Sequence, residues 1–74
     1  MSKTKTYKKA DLRKTLEKHM RKQEKGTTVS AKEFARWFGI YCDMTGKSDE
    51  IRNAKELEKS EVDQLSAWLG YPLY

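Results

Sequence analysis

The sequence predicts an all-α fold: a small bundle of three or four helices with a basic N-terminal helix and a short mobile N-terminal arm. Three observations lead there. Apolar residues recur at helical spacing in three segments, and a glycine (Gly26, Gly46, Gly70) follows each. No segment alternates apolar and polar residues for more than four positions with β-branched enrichment, so strand signals are nearly absent. At 74 residues the chain makes one domain at most. Residues 1–7, which begin MSKTKT, offer little to bury and are predicted to be a flexible basic arm. Residues 8–74 are predicted to be the single helical domain.

The first helix is expected from about Lys8 to Lys25, a run of strong helix formers stopped by Gly26. At about 100° per residue, Leu16, His19, Met20 and Gln23 fall within about 80° of Leu12, a narrow apolar stripe. Lys14, Lys18, Arg21 and Lys25 fall on the opposite side, with Glu17 and Glu24 at its border. They form a predicted basic ridge.

In TTVSAKEFARWFGIYCDMTGK, Ser30 and Glu33 have the spacing of a capping box and Val29 that of a staple residue. The second helix should start near Ala31 and run to Met44, with Gly46 as its stop. Ala31, Phe34, Ala35, Trp37, Phe38, Tyr41 and Cys42 then share one arc of about 160°. This most apolar segment should form the core. Gly39 weakens a continuous helix by about 1 kcal/mol relative to Ala.

Ser48 caps the third segment, followed by two acids suited to a helix N-terminus. Two readings stand: one helix from Asp49 to Leu69, or a break with a new helix from Ser60. Glu58 and Glu61 would lie inside the apolar arc of a single helix, which favours the break. Gly70 ends the helix. The stretches EFARWFGIY (33–41) and QLSAWLGYP (64–72) echo each other, with Trp and Gly matched.

The spacing of Ser30, Ala35, Gly39 and Ile40 resembles helix-turn-helix units, which read as a cap, an Ala, three residues, a Gly and an aliphatic. The resemblance covers about fourteen residues. It implies a turn at Gly39 and a reading helix beyond it. The expected apolar anchor positions after Ile40 hold Thr45 and Ser48, so the turn would be enlarged and the reading helix would be residues 49–58. Its two leading acids would repel phosphates.

Composition excludes several chemistries. Cys42 is the only cysteine, so the chain forms no internal disulfide. One cysteine and one histidine cannot furnish a four-ligand zinc site, and neither a metal nor another cofactor is expected. Cys42 is expected to be a buried, inert thiol, and His19 a packing residue. The acids at 49, 50, 56, 58, 61 and 63 match no calcium loop and read as caps and a solvated face. No catalytic constellation is present, and the chain is expected not to be an enzyme. It has no secretory apolar region and no run long enough to span a bilayer, so no membrane partner is expected. A lone thiol suits a reducing interior, so the expected location is cytoplasmic.

Charge indicates the partner. Residues 1–26 hold ten basic side chains against three acidic ones, and residues 27–74 hold six against eight. The expected function is that of a non-catalytic, nucleic-acid-associated regulator that contacts the phosphate backbone through a basic helix face. The candidate contacts are Lys8, Lys9, Arg13, Lys14, Lys18, Arg21, Lys22 and Lys25. The competing class is a protein-interaction module, an adaptor or inhibitor of a larger protein, using Trp68, Tyr71, Leu73 and Tyr74 as interface residues. Such a tail either folds back over the thin core or marks an interface, and a homodimer is left open.

Overall fold

A computed structural model describes residues 5–74. Residues 1–4, most of the expected arm, lie outside it. The elements run β1 (Thr6–Lys8), α1 (Lys9–Gln23), α2 (Ala31–Thr45), α3 (Asp49–Asn53), β2 (Glu56–Glu58) and α4 (Lys59–Leu69). The fold is therefore mostly helical with a minor sheet, and the all-α expectation is corrected by that sheet. β1 pairs antiparallel with β2 in the register Thr6↔Glu58, Tyr7↔Leu57, Lys8↔Glu56. Lys9 extends the ladder, its N–H donating to the Lys55 carbonyl at 2.9 Å.

Two three-residue strands are too short to show a period, and an isolated pair is marginal in water. Packing holds this one. Leu57 turns into the core, Tyr7 is half-buried, and the Tyr7 ring stacks on Tyr74 with centroids 4.9 Å apart. Thr6 and Tyr7, assigned by sequence to the arm, thus belong to the folded body.

α1 follows directly from β1. It buries Leu12 and Leu16, with Met20 packed against the core, as the narrow stripe predicts. It stops at Gln23, two residues short of the expected end. The Glu24 N–H still donates to the Met20 carbonyl, but its backbone is extended, and Gly26 takes φ 85° to turn the chain. Lys25 therefore lies beyond the helix.

α2 matches its predicted limits to within a residue. Ser30 Oγ accepts from the Glu33 N–H at 3.1 Å, and the Glu33 carboxylate accepts from the Ser30 N–H at 3.5 Å, completing the capping box. Val29 in front of it is fully buried. The helix runs unbroken through Gly39 and ends at Gly46, which takes φ 68°. The helix-turn-helix resemblance fails here, because no turn forms at Gly39. The supposed reading helix, residues 49–58, is instead a five-residue helix followed by a strand. The two glycines of the Trp-x-Gly echo take different places: Gly39 is mid-helix and Gly70 is a stop.

Ser48 caps α3 by accepting from the Ile51 N–H. The third segment does break, and α4 starts one residue before the expected Ser60, but β2 fills the break, and Glu58 occupies the N-cap of α4 without a side-chain cap bond. Beyond Gly70 the tail folds back. Leu73 is 1% exposed and joins Leu12, Leu16, Phe34, Phe38 and Leu65 in the core.

Of the α2 arc, Phe34, Phe38, Tyr41 and Cys42 are buried, whereas Ala31 and Ala35 are exposed. Burial pushes the Cys42 thiol above its ordinary pKa. Since the thiolate is the reactive species, Cys42 should react with a disulfide reagent at near-background rate in buffer and fully in denaturant. A fast stoichiometric reaction in buffer would mean the α2 face is open.

One core contact was not expected. Glu61, read from sequence as part of a solvated face, is 9% exposed. It accepts from the Tyr41 hydroxyl and pairs with Lys47 at 3.3 Å. Burial, followed by the Glu61 contact, raises the pKa of the Tyr41 hydroxyl.

Candidate nucleic-acid interface

The eight predicted phosphate contacts divide by environment. Lys14, Lys18 and Lys22 lie on the exposed side of α1 at i, i+4 and i+8. At about 1.5 Å rise per residue, they stand roughly 6 Å apart along the axis, in a row on one face. Among the described residues, none of the three forms an ion pair. Lys25 is exposed on the turn after the helix. Lys8 is exposed on β1, opposite Glu56.

The other three are committed to the fold. Arg21 reaches back to the loop, donating to the Thr27 carbonyl at 2.9 Å and pairing with Glu17 at 3.4 Å. Arg13 is half-buried and donates to the Val29 carbonyl at 2.5 Å, with Glu17 at 3.8 Å. Glu17 also accepts from the Val29 N–H at 2.9 Å. That bond, then Arg21 and Arg13, holds its carboxyl below the usual carboxylate range against an opposing cost of desolvation. Lys9 lies over the Phe38 ring at 4.0 Å and donates to the Arg52 carbonyl at 2.9 Å. The predicted ridge of Lys14, Lys18, Arg21 and Lys25 is therefore redrawn. Arg21 and Lys25 leave it and Lys22 enters, because the helix ends early and Glu17 holds Arg21.

The alternative interface set also changes. Leu73 is core, not interface. Tyr71 is half-buried and its hydroxyl donates to the Gln23 side chain at 3.2 Å. Tyr74 stacks on Tyr7 and donates to Asp63. Trp68 is 36% exposed, with its ring edge-on to Tyr41 at 5.7 Å. It lines a shallow apolar groove of about 220 Å³ with Leu16, Met20, Trp37, Leu69 and Tyr71. Nearby on α2, Ile40 and Met44 are exposed.

Sequence reasoning missed Arg52, whose backbone carbonyl accepts from Lys9 and whose side chain lines one groove with Lys9 and Arg13. No local signal could have found it, because α3 reaches α1 only through the tertiary fold. Among the described residues there is no cluster of histidine, cysteine or carboxylate side chains able to hold a metal ion, and no helix is long and apolar enough to cross a membrane. No protein-family model, curated protein or solved structure matches the chain.

Proposed function

We propose that this chain is a non-catalytic binding protein whose α1 face lies along the phosphate backbone of a nucleic acid. The observation that carries the reading is the row Lys14–Lys18–Lys22, exposed and without ion pairs among the described residues, in a chain of net charge +5. Contacts of this kind displace condensed counterions and carry little sequence information.

Three lysine–phosphate contacts correspond to a slope of about −2.7 in log affinity against log salt, an approximately 40-fold loss between 50 and 200 mM. Fluorescence anisotropy with labelled duplex DNA measures this directly. Lys14→Gln/Lys18→Gln/Lys22→Gln is expected to flatten the slope and remove most of the affinity, with the circular dichroism spectrum unchanged. Equal binding by the triple variant would leave the lysine row as a merely solvated face.

A protein partner is the second reading, supported by the groove between Trp37 and Trp68. Capture of that kind would persist at high salt and would not depend on the three lysines.

A further inference from the structure

A second concave feature lies between α1 and α2, and none of the three lysines of the row lines it. It is a groove of about 400 Å³, within the range of roughly 300–1,000 Å³ typical of small-molecule sites. Its floor is apolar and built of short side chains, including Ala10, Ala35 and Gly39, while Lys9, Arg13 and Arg52 stand around it. Gly39 contributes to the opening: a Cβ there would meet only Arg52 Nη1, at 3.6 Å. Ala35, which lines the groove, is exposed, and no other described residue covers it.

The three cations are not equally satisfied. Arg13 is held by the Val29 carbonyl and Glu17. Arg52 is held by Asp43, with Asp49 at 3.9 Å. Lys9 has no carboxylate partner among the described residues. Its ammonium has three donors, yet its one hydrogen bond goes to the Arg52 carbonyl, and the Phe38 ring lies below it. Burial pushes its pKa down, as expected of a positive charge taken partly out of water with incomplete compensation. A ligand that completes the site supplies one negative charge at Lys9 and an apolar body for the floor.

We infer that this groove binds a small monocarboxylate with an apolar body, its carboxylate on the Lys9 ammonium beside Arg13 and Arg52 and its body over Ala10, Ala35 and Gly39. A carboxylate fits better than a neutral ligand because every polar side chain around the groove is a cationic donor. It fits better than a multiply charged anion because each arginine already has a carboxylate partner, and Lys9 is the one cation around the groove without one among the described residues.

The test is an amide-resolved NMR titration of the full chain with octanoate, run beside octylamine and octanol. Octanoate should give saturable shifts centred on Ala10, Ala35 and Gly39, and octylamine should not. Lys9→Met, which keeps the apolar stem, should weaken octanoate at least tenfold. Ala35→Leu, which fills the groove from an exposed position, should abolish the shifts while leaving the fold intact. The Lys14→Gln/Lys18→Gln/Lys22→Gln variant should bind octanoate as the parent does, which separates this site from the lysine row. The inference is overturned if octanoate shifts amides around Trp37 and Trp68 instead. It is equally overturned if octylamine or octanol binds the groove as well as octanoate does, or if Ala35→Leu leaves octanoate binding unchanged.

Discussion

Lys47→Met is expected to lower stability by about 3 kcal/mol, the low end of the cost of stripping one partner from a buried ion pair. Glu61 lies in the α2–α4 contact, where the Lys47 ammonium at 3.3 Å and the Tyr41 hydroxyl are its partners. Without Lys47 the carboxylate keeps its desolvation cost and loses its counter-charge. The low end applies because the two side chains retain 17% and 11% exposure. Lys47 also donates to Gln64 at 2.8 Å and lies near the Tyr41 ring, so some packing is lost as well.

The attraction offsets a desolvation cost rather than adding free stability, so removing every polar member together should restore most of the loss. Tyr41→Phe/Lys47→Met/Glu61→Met is therefore expected to be far more stable than Lys47→Met alone. Urea unfolding followed by tryptophan fluorescence measures both. A single core of this size rarely supplies more than about 3–5 kcal/mol, so the single variant should be partly unfolded before any urea is added. An unchanged urea midpoint for Lys47→Met would show that water, not Lys47, balances Glu61.

Leu73→Ala should be comparably damaging, at about 2–5 kcal/mol for removing a buried leucine side chain. Leu73 is 1% exposed, although it lies one residue from the end of the chain. Its neighbour Tyr74 stacks on Tyr7 of β1, and β1 pairs with β2, so the tail, the first strand and the strand before α4 close on one another. Loosening Leu73 should therefore release the β1–β2 pair as well. A destabilisation of 2 kcal/mol corresponds to a drop of roughly 10 °C in Tm for a domain of this length, read by circular dichroism. Tyr74→Ser should cost less, because Tyr74 is 53% exposed. A Leu73→Ala protein with an unaltered Tm would return the tail to the role of an interface.

Those two sites mark where reading along the chain stops working. The limits of α2 were readable because its signals are local: Ser30, Glu33 and Gly46 act within one turn of the helix ends they govern. The apolar stripe of α1 was readable for the same reason. The lysine row was half readable. Spacing places Lys14 and Lys18 on one face, but whether Arg21 joins them depends on Glu17 and on the loop carbonyl of Thr27. The sheet was not readable, because Thr6–Lys8 and Glu56–Glu58 carry no period of their own and become strands by pairing across some fifty residues. Glu61 looked like a reason to break a helix, and its burial depends on Tyr41 and Lys47 from α2 and the loop after it.

What the sequence by itself determined is the helical framework, the caps of α2 and α3, the stops at Gly46 and Gly70, and the concentration of positive charge before Gly26. Each of these rests on interactions between residues no more than about four apart, or on composition. Only the tertiary structure decided which cations remain available to a partner, that the C-terminal leucine is core, and that Lys9, Arg13 and Arg52 surround one groove. Those outcomes depend on which distant groups arrive beside each side chain, and burial and pairing energies are set by that company rather than by neighbours along the chain.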